Sequence, residues 1–401
     1  MPILCPNCGS SLSFDPDTRK LLCSSCGSGQ DVIHTNDMGL VDLERIYTDT
    51  KELEGMDLNV YTCSTCGGSI TVNDVEMTSA CPFCGNHGVI FDRIAKRRRP
   101  DAVIPFSIGA DKALQAVREH LKGSALLSSK ARNMELSKPV GVYIPYFVIS
   151  AESKGVITYE KVTRNKNGRE IDRDHIAKSF RCVYDRLTLE ASSAFPDEAS
   201  IEIEPYDFKD LRTFEEGYLQ GFCSDMADDD PGRLLRKAKG LCREYEIGEI
   251  ARKNICPKGY HSIGHEYDVK FKGKAVYSLF PVWFVIGKYG KGRHVTILVN
   301  GQTGKVVGGP PYSKVKMTGS VLLASILPTA VFTALGACGA FLAFKTITFD
   351  LRLTALIIPG LVTLGSFIIA KAEKNVKRLK HILDLSSSKK LGSFAGRRIS
   401  K

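Results

Sequence analysis

Apolar residues recur at helical spacing in one segment of the chain and cluster into strand-like runs in others. Leu114, Val117 and Leu121 lie on one stripe, which predicts a helix over residues 110–121. Runs rich in β-branched and aromatic residues predict strands over residues 140–149, 156–162, 276–286 and 294–299. These elements predict an α+β domain over residues 101–312.

Two of these strands carry the same pattern of residues. Segment 144–148 reads IPYFV and segment 280–284 reads FPVWF, and each is followed by a glycine and another strand. The echo predicts an internal β repeat within the α+β domain. Asn300-Gly301 and Thr303-Gly304 predict the tight turns of a hairpin.

The most apolar segments lie near the C-terminus. Between Lys316 and Lys345 lie 28 residues with no charge, and between Arg352 and Lys371 lie 18 more. A helix of about 20 apolar residues crosses a bilayer core of about 30 Å. Both segments are apolar on every face, which fits buried core helices less well. We therefore predict a transmembrane hairpin of two helices, residues 317–344 and 353–371.

The charges beside this hairpin predict its orientation. From Lys371 to the C-terminus there are ten basic and two acidic residues, and positive charge favours the inner side of a membrane. Two spans then return the N-terminus to the same side. The predicted localisation is the cell membrane, with both termini cytoplasmic and the basic tail, residues 372–401, in contact with anionic lipid.

Eight of the thirteen cysteines form four Cys-x2-Cys pairs, and the second two pairs repeat the first two at a displacement of 58 residues. One set is Cys5, Cys8, Cys23 and Cys26, and the other is Cys63, Cys66, Cys81 and Cys84. Zinc takes four thiolates at tetrahedral corners, and this spacing supplies them from two tight turns. The spacing predicts two structural Zn²⁺ ions, held in small β zinc ribbons over residues 1–30 and 59–91.

A glycine follows each cysteine pair, where the chain must reverse. Residues 11–15 and 19–22 predict the two strands of the first ribbon around Pro16-Asp17. Disulfides are the alternative for these cysteines. A catalytic zinc fits poorly because four thiolates leave no position for water. His87 is a possible substitute ligand, and Cys256, His261 and His265 form the other possible metal cluster.

Charge is distributed unevenly along the chain. Residues 1–92 hold four basic and thirteen acidic residues, a net charge of −9, so binding of phosphate by the ribbons is disfavoured. Residues 31–58 form a predicted linker, and residues 92–100 form a basic one, with Arg93 and the run 96–99. The ribbons are predicted to bind protein rather than nucleic acid.

No nucleophile elbow, dinucleotide fold or helicase motif is present, and we predict that the protein is not an enzyme.

Several short segments resemble a family of bacterial membrane proteins that carry a TFIIB-type zinc ribbon. They are VIPF (103–106), GVYIPYF (141–147), EEGYLQGF (215–222), LFPVWF (279–284) and VNGQTGKVVG (299–308). The resemblance runs almost from end to end. It implies association with SPFH-type or phage-shock-type membrane proteins in membrane-stress complexes.

The sequence thus predicts a multidomain chain of two small β zinc ribbons, an α+β domain and a C-terminal α-helical transmembrane hairpin. The predicted function is that of a membrane-anchored, zinc-binding scaffold or adaptor that recruits cytoplasmic or membrane proteins. The alternative is a membrane-tethered regulator that binds nucleic acid through its ribbons.

Overall fold

The computed structural model describes residues 3–33, 55–64, 69–72, 81, 89–124, 127–165, 167–192, 195, 197–225, 227, 231–252, 258–289, 293–310, 313 and 316. The strands are β1 Leu12–Asp15, β2 Lys20–Cys23, β3 Gly29–Gln30, β4 Gly55–Cys63, β5 Ser69–Val72, β6 Val89–Arg98, β7 Ala102–Val103, β8 Glu135–Leu136, β9 Val140–Arg164, β10 Glu170–Glu190, β11 Arg212–Thr213, β12 Cys223–Ser224, β13 His261–Tyr289, β14 Arg293–Asn300 and β15 Val306–Gly308. The helices are α1 Ala110–Gly123, α2 Ser129–Arg132, α3 Asp197–Ile203 and α4 Pro231–Arg252.

Three unusually long strands organise the molecule. Strands β9, β10 and β13 are 25, 21 and 29 residues long, and β9 lies between the other two in antiparallel pairing. Their proximal halves lie in the body of the protein. Their distal halves, residues 151–164, 170–184 and 261–271, form a three-stranded extension that we call the arm. Fourteen residues of extended chain span about 45 Å, which sets the length of the arm.

The two echoed segments meet near one end of the pairing between β9 and β13. Ile144 in β9 pairs with Phe280 in β13, and these two residues occupy equivalent places in the two echoed segments. The echoed segments lie on antiparallel strands that cross at this pair and run in opposite directions from it. Tyr146 stacks on Phe280, with ring centroids 4.5 Å apart.

The described strands form two sheets. Strands β1, β2 and β3 form a small sheet, and the other twelve join one large sheet. Its main path runs β11-β7-β13-β9-β12-β5-β4-β6, with β10 paired to β9, β8 and β14 to β13, and β15 to β14. The strands around the second cysteine set, β4, β5 and β6, thus belong to the same sheet as the long strands.

An aromatic cluster fills the core beside this sheet. Phe106 stacks on Phe222 at 4.3 Å between ring centroids, and it also contacts Tyr143 and Trp283 at 5.0 and 4.8 Å. The indole of Trp283 donates a hydrogen bond to the carbonyl of Ile108 at 2.8 Å, so its polar atom is satisfied. Helix α1 packs Ala113, Val117 and Leu121 into the same core.

A second core lies under helix α4. Leu234, Ala238 and Cys242 on this helix are fully buried and pack against Leu187 and Leu189 of β10. The Tyr184 hydroxyl donates to the Cys242 carbonyl at 3.0 Å, which ties the middle of the helix to the base of the arm.

Several local predictions are confirmed. The helix predicted over residues 110–121 is α1, and the hairpin predicted around Pro16-Asp17 is formed by β1 and β2. The strands predicted over residues 276–286 and 294–299 lie within β13 and β14. Residues 140–149 and 156–162, predicted as separate strands, are parts of the single strand β9.

The predicted fold class was wrong. The described chain is mostly β. Long paired strands dominate residues 140–190 and 261–300, and the longest described helix, α4, has 22 residues. The α+β interpretation failed because exposed polar stretches within β9, β10 and β13 resemble loops. Backbone pairing between segments that are distant in the sequence makes these stretches adopt strand conformation.

The predicted membrane anchoring is also corrected. No helix among the described residues combines the length and apolar character that a bilayer span requires. This finding overturns the predicted two-span integral membrane protein, its lipid-contacting tail and its localisation in the cell membrane with both termini cytoplasmic. Those predictions rested on hydropathy and on the flanking charges, in segments 317–344, 353–371 and 372–401, all of which lie outside the described residues.

Candidate metal centre

Two tight turns present the first four cysteines. In the first turn the Gly9 amide donates to the Cys5 carbonyl at 2.9 Å, and in the second the Gly27 amide donates to the Cys23 carbonyl at the same distance. Gly9 and Gly27 have φ values of +76° and +74°, a backbone conformation that residues other than glycine rarely adopt. The glycine predicted to reverse the chain after each of these pairs therefore does so.

The four sulfur atoms converge on one point. The Sγ atoms of Cys5, Cys8, Cys23 and Cys26 all lie within 4.8 Å of one another. Cys5 and Cys26 are 3.6 Å apart, and Cys8 and Cys23 are 3.4 Å apart. A tetrahedral ion with metal–sulfur bonds of about 2.3 Å has sulfur–sulfur edges of about 3.8 Å, so the cluster matches the size of a four-thiolate metal site.

The surroundings favour thiolate at some of these positions and oppose it at others. The Ser28 hydroxyl lies 3.1 Å from the Cys5 sulfur and lowers the pKa of that thiol to about 6. The Cys26 amide donates a hydrogen bond to the Cys23 sulfur, which by itself lowers the pKa of this thiol. Burial and the two adjacent thiols, Cys8 and Cys26, act in the opposite direction, and the pKa of Cys23 is raised to about 11. Thiols this close cannot all ionise unless a cation neutralises them, and a divalent metal ion supplies that charge.

The four-cysteine cluster is also part of the hydrophobic core. Cys5 and Cys23 are buried in the same cluster as Leu12, Phe14 and Leu21, whereas Cys8 and Cys26 face outward. This cluster continues into the large sheet. We call residues 3–33 the first ribbon.

The first ribbon docks on the segment EEGYLQGF. The ring of Phe14 packs edge-on against Tyr218, with centroids 5.2 Å apart, and lies 6.4 Å from Phe222. The Phe14 amide donates to the Gln220 carbonyl at 3.0 Å. Apolar packing and a backbone hydrogen bond thus join β1 to the main body.

Charged contacts orient the first ribbon. The guanidinium of Arg19 donates to both carboxylate oxygens of Asp210, at 3.2 and 3.1 Å, and to the Ser107 hydroxyl at 3.0 Å. The hydrogen bonds from Arg19 lower the pKa of Asp210. Lys112 on α1 pairs with Asp17 at the tip of the β1–β2 hairpin. A bidentate pair fixes direction as well as distance, so the ribbon is held in one orientation.

A substitution at Gly221 tests this docking. Gly221 has a φ of +84°, and a Cβ there would lie 2.3 Å from the Ser13 hydroxyl of β1. We expect Gly221→Ala to lower the free energy of unfolding by about 1–3 kcal/mol, because a strained backbone meets a close neighbour. Chemical denaturation of the full chain measures the change.

The matched control is Gly123→Ala at the end of α1, where a Cβ meets nothing within 4 Å. Alanine is the better helix former, so this variant should be as stable as the parent or slightly more stable. Equal midpoints for both variants would contradict the described docking.

The second cysteine set is only partly described. Cys63, at the end of β4, and Cys81 are buried in one hydrophobic cluster, which also contains Cys223. Cys66 and Cys84 lie outside the described residues. The second zinc site therefore stays a prediction.

The alternative metal ligands occupy other environments. His261 lies 3.5 Å from Glu160, and His265 packs against the ring of Phe180 at 5.3 Å. Cys256 and His87 lie outside the described residues. Among the described residues, the first four cysteines are the group of three or more ligands close enough to hold a metal ion.

The basic run is partly used inside the protein. Arg98 pairs with Asp101 at 2.8 Å and lies over the ring of Tyr277. Arg99 pairs with Glu215 and lies over the ring of Phe214. These two cations of the run therefore contribute to ion pairs and to packing within the protein.

The residues that hold the first ribbon in place were not predicted from the sequence. The contacts of Tyr218, Gln220 and Asp210 come from a segment about 200 residues distant along the chain. The available signal was the aromatic and glycine content of EEGYLQGF in a loop, which is typical of a close packing site.

These features define the chain as a β protein whose body incorporates a four-cysteine ribbon. The chain is 30% identical over 354 residues to the Uncharacterized protein YdjG of Bacillus subtilis (strain 168), an alignment that covers 86% of this chain and 96% of that protein. It therefore belongs to the same family as YdjG. No family model matches the chain, and no solved structure matches it.

Proposed function

We propose that the four-cysteine cluster holds a structural zinc ion and that the protein is a zinc-stabilised scaffold for protein partners. The observation that carries the first part is the closed ligand set, in which four sulfurs lie within 4.8 Å and two are buried in the core. Four thiolates complete a tetrahedral shell and leave no position for a reacting water. The ion then contributes folding free energy rather than catalysis.

The turn geometry also supports a zinc ribbon of the TFIIB type. Two Cys-x2-Cys turns, each closed by a glycine with positive φ, flank an antiparallel hairpin of β1 and β2. Soft thiolate ligands at tetrahedral corners favour zinc over harder ions such as magnesium or calcium.

The arm supports the scaffold function. Among the described residues β10 pairs with β9 alone, so one edge of the arm carries backbone groups that a partner strand can pair with. Ile171 on β10 and Ile263 on β13 are large apolar residues with 64% and 50% of their surface exposed. The two isoleucines lie on the two outer strands of the arm, one on each side of β9, and exposed apolar residues beside open backbone groups are suited to protein docking.

Metal analysis tests the zinc site on the full chain. We expect two zinc equivalents in protein purified under reducing conditions, one from each cysteine set. Cys8→Ser should remove one equivalent, because Cys8 supplies one corner of the first site. A zinc content that Cys8→Ser leaves unchanged would contradict the assignment.

The scaffold proposal is tested by chemical crosslinking and capture in cells that produce the protein. Glutamate at Ile171 and at Ile263 should remove specific partners that the parent chain retains. The control is Ile33→Glu, at an isoleucine on the first ribbon that is 82% exposed. If the arm variants and the control capture the same proteins as the parent, the arm is not the docking surface.

A further inference from the structure

Strand β10 contains a bulge with an unusual backbone. Tyr184 pairs with Ala151 and Leu187 pairs with Ile149, so two residues of β10, Asp185 and Arg186, lie opposite the single residue Ser150. Arg186 has a φ of +56°. A residue with a long side chain rarely adopts this backbone conformation. Strained residues and bulges concentrate beside functional sites.

A cavity of about 320 Å³ lies beside this bulge. Its walls come from residues 183–188 of β10, from Ile201 and Glu204 at the end of α3, and from Leu241 on α4. Pockets for small ligands range from about 300 to 1,000 Å³, so this one suits a small molecule or one side chain.

The walls combine apolar surface with negative charge. Leu187, Ile201 and Leu241 supply the apolar part, and Ile201 is 54% exposed at the rim. Asp185 and Glu204 supply two carboxylates. The guanidinium of Arg186 is directed to Asp185, 3.2 Å away, and to the ring of Phe208.

Glu204 is the main polar group of the pocket. Its carboxylate accepts a hydrogen bond from the Thr188 hydroxyl. Lys305 donates to the Glu204 backbone carbonyl rather than to the carboxylate. Burial raises the pKa of Glu204, with the Thr188 hydrogen bond and Lys305 acting in the opposite direction. The Glu204 carboxylate is thus stabilised by the neutral hydroxyl of Thr188, and the nearby cation, Lys305, is bound to the backbone carbonyl of Glu204.

We propose that this pocket binds an alkylammonium group, with the ammonium paired to Glu204 and the alkyl chain lying against Leu187, Ile201 and Leu241. Anions are disfavoured by the two carboxylates. A hard divalent ion would leave the apolar wall unused and would find too few oxygen ligands. The ammonium group comes either from a free amine or from a lysine side chain of a partner protein.

Titration of the full chain with n-butylamine, followed by calorimetry or methyl NMR, tests the proposal. We expect saturable binding that n-butanol, the neutral counterpart, does not reproduce. Glu204→Gln should weaken binding about tenfold or more, because it removes a charge-assisted hydrogen bond. Asp268→Asn on the arm makes the same charge change at an exposed site and should leave binding unaltered.

A second variant covers the case in which Glu204→Gln does not fold. Ile201→Arg places a competing cation at the exposed rim and should abolish butylamine binding without disturbing the core. Absence of binding to the parent, equal binding of n-butanol, or full binding by either pocket variant would overturn the proposal.

Comparison of n-butylamine with N-acetyl-lysine methylamide separates the two sources of the ammonium group. Tighter binding of the lysine derivative assigns the pocket to a partner's side chain. Tighter binding of butylamine assigns it to a free amine. Either result supports an ammonium site. The outcomes that would overturn the ammonium proposal do not depend on the results of the zinc and capture experiments, so a failure of this proposal is distinguishable from a failure of the proposed function.

Discussion

Replacing Cys23 with serine is expected to release the metal from the first ribbon and to lower the free energy of unfolding by several kcal/mol. Cys23 is buried, and its sulfur is one of the four corners of the cluster. Structural zinc contributes roughly 10–16 kcal/mol in isolated finger peptides, and that range is an upper limit here because the ribbon also has apolar contacts. Denaturation with urea, monitored by tryptophan fluorescence, measures the loss.

The effect should extend beyond the ribbon. Phe14, Tyr218 and Phe222 form one interface, so a ribbon that unfolds exposes the aromatic face of the main body. Increased binding of a hydrophobic dye should accompany metal loss. A chelator added to the parent chain should produce the same two changes, because it removes the ion without altering a residue.

Cys242→Ser is the matched control for this experiment. Cys242 is also fully buried, but it lies on α4 and is not part of the cysteine cluster. This variant should keep its metal and show only the cost of one buried hydroxyl, about 1–3 kcal/mol. If Cys23→Ser lost its metal and kept the parent's stability, the first ribbon would be an independent appendage.

The convergence of the first four cysteines could be predicted from sequence because its determinants are local. Two turns of four residues each fix where the sulfurs point, and the hairpin between them brings the turns together. The spacing of Cys5, Cys8, Cys23 and Cys26 therefore contains most of the information. The docking of the ribbon is different, because Arg19 meets Asp210 across 191 residues of chain. No local pattern identifies such a pair.

The long strands could not be predicted for a related reason. Segment 150–155 carries serine, glutamate, lysine and glycine, which by themselves favour a loop. In the structure Glu152 pairs with Val183 on one side and with Lys270 on the other. Backbone pairing with two neighbours makes this stretch a central strand, and its charged residues meet partners across the sheet, as Glu152 meets Arg181.

The five segments that mark the resemblance share one structural role. VIPF supplies Phe106, GVYIPYF supplies Tyr143, EEGYLQGF supplies Phe222 and LFPVWF supplies Trp283. The segment VNGQTGKVVG supplies Gly301, where a Cβ would lie 2.5 Å from the Phe106 ring. In this chain the five segments meet to build one aromatic core.

Phe106→Ala should accordingly be the most destabilising single apolar truncation in this core, with a loss of about 3–5 kcal/mol in the free energy of unfolding. Phe106 is fully buried, and its ring meets Tyr143, Phe222 and Trp283, so no neighbour can fill the space without leaving its own contacts. Phe222 also contacts Phe14, and the cavity should loosen the first ribbon. We expect faster exchange of zinc as well as a lower denaturation midpoint.

The control for this prediction is Phe180→Ala on the arm. Phe180 is half-buried against His265 and lies outside the core, so its loss should cost far less. Zinc exchange should be unchanged in that variant, because Phe180 packs against His265 of the arm, whereas Phe106 belongs to the aromatic core that meets the ribbon. If Phe106→Ala and Phe180→Ala proved equally mild, the five segments would not depend on a common packing centre. If Phe106→Ala lowered stability but left zinc exchange at the parent rate, the metal centre would be stable without the core that it joins.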